Sequence, residues 1–198
     1  HHHQPNPHHR HDNYYAVGLD LTRPLAPRSV WGTDAGSTYN SGVAFFELGA
    51  GGALPLHDHP RMWVLTVVLR GAMRAVVFDR ASGTCVSNTL LSAGVPASCF
   101  LLTSPAAEVH TFVAAPGDGT AFLDVIAPPY DMEGDPPRRP CTYYSLHSGG
   151  GSSGGSEVDP ASATPGTTYT IRPLPHDPPG FSLTTRRYLG VDFTPHLP

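Results

Sequence analysis

The sequence predicts an all-β fold, a sandwich or barrel of short strands. The 198-residue chain carries 22 Pro and 21 Gly, and it has no long apolar run at helical spacing. Its central apolar runs recur at intervals of roughly 8–12 residues, separated by turn-forming clusters, which is the rhythm of an all-β body. A hydrophobic content of 39% is enough for the core of one domain.

The elements follow in order. Residues 1–13 are rich in His and Pro and read as a disordered tail or the remnant of a purification tag, with His1, His2 and His3 at its start. Residues 14–198 read as a single domain. Within it, residues 14–41 offer only short pieces of structure. Val43 to Leu48 reads as a strand. Met62 to Leu69 is nearly continuously apolar and Val-rich, which predicts a strand covered on both faces. Gly71-Ala72 between two apolar runs has the pattern of a two-residue type II′ hairpin, with Met73 to Asp79 as the return strand. Further strands are predicted at Cys85 to Leu91, Ser98 to Thr103, His110 to Ala115 and Ala121 to Ala127, where Pro128-Pro129 ends the run. Another starts near Cys141. Residues 148–167 form a Gly/Ser-rich tract that reads as a flexible, solvated loop inside the domain. Thr168 to Arg172 and Phe181 to Leu189 complete the strands.

Composition narrows function by exclusion. The net charge is −4, so a nucleic-acid or acidic-membrane surface is not expected; all 12 basic residues are Arg, a bias that carries no functional reading. No apolar stretch has the length of a bilayer-spanning helix. The three cysteines, Cys85, Cys99 and Cys141, are odd in number and lack C-x-x-C spacing, which points to a reducing compartment, the cytoplasm or nucleus. Cys85 and Cys99 read as core residues.

Between the tail and Cys141 the chain has three histidines: His57, His59 and His110. His57 and His59, at i and i+2, share one side of an extended chain and can chelate one ion. Gly49 to Gly52 frees the backbone ahead of them, and Pro55 and Pro60 stiffen the flanks. A lone H-x-H is weak, since most are surface residues. His110, some fifty residues on and also placed at a strand start, turns the pair into a candidate metal site. Imidazoles suit Fe, Cu, Ni or Zn alike, so the ligands alone do not name the metal.

The spacing is similar to the two cupin motifs. Gly51, five residues, His57-x-His59 and a closing Gly71 fit the first; Pro105, two small residues and His110 fit the second. The implied fold is a cupin, a double-stranded β-helix or jelly-roll barrel. Many cupins place a Glu four or five residues after the pair. Trp63 and Val64 stand there, leaving three neutral imidazoles and no carboxylate. Such a centre keeps the full charge of the ion and suits an anionic donor such as a thiolate.

Read as a series, L-P-L-H-D-H-P, G-A-M-R-A-V-V-F-D, V-H-T-F, L-D-V-I-A-P-P-Y and P-C-T-Y-Y resemble the plant cysteine oxidases and cysteamine dioxygenase, the three-histidine cupin thiol dioxygenases. The resemblance runs from about Val43 to Tyr144. It implies Fe(II) held by His57, His59 and His110, and O2-dependent conversion of a thiol to a sulfinic acid. It further implies a monomer acting on the N-terminal Cys of a protein or peptide, an oxygen-sensing step that marks the protein for N-degron degradation. The alternatives are a dioxygenase of cysteamine or another small thiol, a non-catalytic metal-binding cupin, or a Zn or Ni cupin isomerase or hydrolase. Asp124 matches the acidic residue of the family's D-I-L-S-P-P-Y and is the candidate to orient a substrate ammonium or handle a proton; the alternative is an Asp at a sheet edge or paired with Arg. Tyr130 ends the same motif and is a candidate hydrogen-bond donor near the pocket, or else a packing aromatic. A cis bond is a possibility within Pro128-Pro129. Cys141 and Tyr143 occupy the positions of a Cys-Tyr crosslink known in the cysteamine branch, with ordinary buried neighbours as the other reading. Where the plant enzymes read H-P-G-M-T, this chain reads His59-Pro60-Arg61-Met62-Trp63, which points to Arg61 as a determinant of substrate choice.

Overall fold

The structure is a computed structural model that describes residues 14–19, 42–94, 98–103, 108–128, 130, 139–149 and 155–185. The tail at 1–13, Pro105, Pro129 and residues 186–189 lie outside the described residues. The elements are β1 (Tyr14–Leu19), β2 (Gly42–Leu48), β3 (Ala53–Asp58), β4 (Trp63–Arg70), β5 (Ala72–Asp79), β6 (Cys85–Ser92), β7 (Cys99–Leu102), β8 (Glu108–Ala114), β9 (Thr120–Ala127), β10 (Tyr144–His147), β11 (Thr170–Pro173) and β12 (Leu183–Thr185). Among the described residues the one helical piece is a 3-10 turn, Pro160–Ser162, and no helix is long and apolar enough to cross a membrane.

One sheet has the order β12-β1-β2-β9-β4-β7, and a second has β3-β8-β5-β6. The eight strands β2 to β9 thus divide into two four-stranded layers, β2, β9, β4 and β7 facing β3, β8, β5 and β6, with β2 beside β9 and β3 beside β8. That is the strand order of a jelly roll, the architecture of cupins. Its core fills the space between the layers with Leu48, Leu54, Val68, Met73, Ala75, Leu91, Phe112, Ala114 and Phe122. Phe112 and Phe122 meet edge to face at 5.3 Å, from opposite layers. A second core lies on the outer side of the four-stranded sheet. There Leu56, Val76, Phe78, Cys85 and Val109 pack under Tyr144, Leu146 and Ala163. The β10-β11 pair and the turn at Pro160–Ser162 therefore cap the outer face.

Several expectations change. Gly71-Ala72 is not a hairpin: β4 pairs with β9 and β7, β5 pairs with β8 and β6, and the two strands belong to different sheets. Gly71 is instead the corner where the chain crosses between layers. Its φ is +70°, and a Cβ there would stand 2.1 Å from the carbonyl oxygen of Gly119. Nor is β4 covered on both faces. Val64, Thr66 and Val68 are buried while Trp63 is 43% and Leu69 50% exposed, because its apolar residues outnumber its inward positions. Cys99 is exposed rather than buried, since Phe100 and Leu102 are the β7 residues turned inward. In the Gly/Ser-rich tract, residues 155–167 make specific contacts with the body. Asn88 donates to the carbonyls of Ala161 and Ala163, and Asp159 caps the 3-10 turn. The cis peptide bond joins Ala127 to Pro128.

Candidate metal centre

His57 and His110 are directly paired residues of β3 and β8. Simple alternation would not bring them together, because Leu54 opposite Phe112 already faces the inner core and His57 is three residues further on. A β-bulge between Leu54 and His57 absorbs the extra residue. It turns Leu56 to the outer core and His57 inward. Asp58 then lies on the outer side, and His59, just past the end of β3, faces inward again. The sequence reading placed each histidine at a strand start. His57 is instead the fifth residue of β3, and His110 is the third of β8.

The ligand atoms of His57, His59 and His110 all lie within 4.8 Å of one another, and all three residues are buried. Each ring is set for that role differently. The Nδ1 of His57 is 2.8 Å from the carbonyl of Pro55 and donates to it, leaving Nε2 with a free lone pair. Tyr130 donates its hydroxyl to the carbonyl of Asp58 at 2.7 Å, so at 2.9 Å it accepts from Nδ1 of His59, which frees Nε2 of that ring too. The two Nε2 atoms are 3.1 Å apart. Neither carries the proton that a hydrogen bond between them would need. The spacing is instead that of two nitrogens at right angles around one ion, which at an ion–nitrogen distance of about 2.1 Å stand about 3 Å apart. Neither ring nitrogen of His110, a fully buried residue, has a hydrogen-bond partner. A buried, orphaned imidazole is costly unless something else takes its lone pair. The residues fit a metal ion.

Electrostatics keep the rings in the ligand form. Burial lowers the pKa of His57, against a smaller opposing effect of its bond to Pro55. Burial and then the neighbouring His57 lower His59 to about 2. Burial, His57 and His59 hold His110 well below its ordinary value. All three are neutral imidazoles at pH 7, ready to ligate.

A profile of the PCO_ADO family matches residues 33–193. The chain belongs to the PCO_ADO family. Plant cysteine oxidase 2 of Arabidopsis thaliana is 33% identical over 112 residues, which cover 52% of this chain and 39% of that protein. Plant cysteine oxidase 1 of the same plant is 31% identical over 112 residues, covering 52% of this chain and 36% of its own length. The chain thus spans under half the length of these curated relatives. Similar solved structures include a Bacillus halodurans protein (17% identity, TM-score 0.41, 48% of this chain and 67% of that one) and oxalate decarboxylase of Bacillus subtilis (20% identity, TM-score 0.37, 44% and 21%).

In this PCO_ADO chain the position after the H-x-H pair offers no carboxylate. Val64 is fully buried apolar surface and Trp63 faces outward. Arg61 is exposed and adopts φ +58°, a left-handed conformation that a Gly at this position would take without strain. Tyr130 joins the histidines, with its ring 5.1 Å from that of His59. Its phenol is held well above its ordinary pKa, chiefly by burial. Asp124 is not at a sheet edge, and among the described residues it forms no ion pair with Arg. It lies on β9 between β2 and β4, inside the barrel on the layer facing the histidines, and accepts a 2.5 Å hydrogen bond from Thr66. Burial outweighs that bond and raises its pKa to about 7. Cys141 lies within hydrogen-bonding reach of Tyr130 and Tyr143, and burial pushes its thiol up to about 11.

Thr66, the partner of Asp124, gave no signal in the sequence. Asp58 did give one. An acid between two inward histidines on an extended chain must point the other way.

Proposed function

We propose that this protein is an Fe(II)-dependent thiol dioxygenase that converts the N-terminal Cys of a protein or peptide to cysteine sulfinic acid with O2, an oxygen-sensing step of N-degron degradation in the cytoplasm or nucleus. The observation that carries the reading is the partnerless His110 beside His57 and His59, three neutral imidazoles converging without a carboxylate. Membership of PCO_ADO and the names of the Arabidopsis relatives support it.

His57, His59 and His110 are the metal ligands. Fe(II) bound there supplies the redox chemistry that adds both atoms of one O2 to the thiol sulfur, RSH + O2 giving RSO2H, and its charge favours the thiolate. The chain's own residues hold and tune that centre. Tyr130 fixes the tautomer of His59 by accepting from its Nδ1. Asp124 faces the interior with a pKa of about 7, where a carboxyl group exchanges protons near neutral pH. It takes the thiol proton or orients the substrate ammonium. Arg61, exposed two residues after His59, favours acidic over basic residues following the substrate Cys.

The test is to load the protein with Fe(II), supply O2 and either a Cys-initiated peptide or cysteamine, and weigh the products. A gain of two oxygen atoms on the peptide supports the reading. Turnover of cysteamine alone would move the assignment to a small-thiol enzyme, and metal binding without O2 uptake would leave a non-catalytic cupin.

A further inference from the structure

We infer that Asp58 is a positioning residue of the metal centre, holding the His57 and His59 imidazoles in their converging geometry from the outer face of the sheet. The inference rests on the assignment of the three histidines as metal ligands.

Asp58 stands between the two ligands in sequence and on the opposite side of the strand. Its side chain is buried, and every part of it is tied down. Oδ1 accepts from the backbone N–H of Thr142 at 2.9 Å. Oδ2 accepts from the hydroxyl of Tyr144 at 2.7 Å, and Arg80 lies 3.6 Å from the same oxygen. Arg80 also donates to the Tyr144 hydroxyl at 3.3 Å. The backbone of Asp58 is held as well. Its N–H donates to the carbonyl of Thr142 at 3.2 Å, and its carbonyl accepts from Tyr130. Contacts therefore reach it from three separate parts of the chain: the β5–β6 turn, Tyr130, and the segment leading into β10.

That density has a geometric reason. β3 is bulged at Leu54–His57, and the ladder to β8 ends at Asp58. An edge strand just past a bulge has lost the regular hydrogen bonds that would fix its twist. His59 lies beyond the ladder altogether. Two imidazoles that must stay about 3 Å apart at their tips need the intervening residue fixed in rotation, and the Asp58 carboxylate does this by anchoring to Thr142 and Tyr144. The same anchor draws the segment from Cys141 to Tyr144 against β3, where Tyr143 bridges to His57. Residues behind metal ligands in this way typically govern affinity by about 10- to 100-fold.

Co(II) is the probe, read by chelator competition and by its visible absorption spectrum. Asp58→Ala is expected to weaken Co(II) binding about 10- to 100-fold and to change the spectrum of the saturated site. Asp58→Asn keeps an acceptor for Thr142 and should recover most of the affinity. Tyr144→Phe removes a single anchor and should fall between. Val76→Ala, in the same outer core but on β5, which carries none of the three histidines, controls for stability. It should lower the melting temperature and leave affinity and spectrum unchanged. Unchanged Co(II) affinity and spectrum in Asp58→Ala, or an equal loss of affinity in Val76→Ala, would overturn the inference. If the unmodified chain binds no Co(II) or Fe(II), the metal assignment itself falls, and this inference with it.

Discussion

His57 and His110 face each other as paired residues of β3 and β8, with ring centroids 4.6 Å apart, yet only His57 has a hydrogen-bond partner at Nδ1. One ring is preset as a ligand by Pro55 and the other is left bare. Without an ion His57 keeps its bond to Pro55, whereas both ring nitrogens of His110 stay unsatisfied. Adding Fe(II) or Co(II) should satisfy His110 and raise the melting temperature. At a metal concentration of 100 times Kd the gain is about 2.7 kcal/mol, or about 5–10 °C for a domain of this size. His110→Ala should abolish that rise, as should His57→Ala and His59→Ala. Differential scanning calorimetry with and without metal checks it.

Tyr130→Phe tests the tautomer argument. It removes the hydroxyl that accepts from His59 Nδ1 while keeping the ring. The His59 ring is then free to turn or to protonate Nε2. Metal affinity should fall about 10-fold, at the lower end for residues that orient ligands, with little change in fold. Chelator competition measures it.

The pH dependence has two opposed components. His59 has a folded pKa of about 2 against an ordinary 6.5, so below pH 6.5 the unfolded chain binds more protons. Its contribution to the metal-free protein is complete above pH 6.5 and is lost as pH falls toward 2. Asp124 runs the other way. Its pKa of about 7 lies above the ordinary 3.8, so its protonated form stabilises the fold at low pH and that stability is lost as pH rises from 3.8 through 7. Asp124→Asn should therefore gain stability over the unmodified protein as pH rises across that window. A pH–rate inflection near 7 should vanish in the same variant. Denaturant titrations and kcat/KM at a series of pH values read both effects.

Much of this site was legible in the chain. The i, i+2 spacing gave the shared face of His57 and His59, and the missing acid at Trp63 and Val64 gave the all-imidazole set. What was not legible is the bulge at Leu54–His57, which decides that His57 rather than Leu56 meets His110. A bulge is set by the partner strand, and one strand's sequence does not contain it. The same limit explains Gly71. A Gly between two apolar runs reads as a hairpin, but whether the chain returns beside itself or crosses to a facing layer depends on which strands compete for its edges.

Gly71→Ala tests that corner. At φ +70°, with Gly119 O only 2.1 Å from the added Cβ, both the backbone and the neighbour resist. Left-handed strain alone costs about 1–3 kcal/mol, and the clash adds to it. Urea denaturation should show at least that loss. Arg61→Gly should do the reverse, relieving the strained φ +58° while forfeiting discrimination between acidic and basic peptides, which KM values on the two peptide sets would show.

The most direct test of the proposed function is mass spectrometry of a short Cys-initiated peptide incubated with the iron-loaded protein and O2, beside a peptide whose Cys is internal. The account predicts two added oxygen atoms on the N-terminal Cys and none on the internal one, with the addition lost in His110→Ala. An unmodified Cys-initiated peptide, under conditions where the protein demonstrably holds iron, would contradict it.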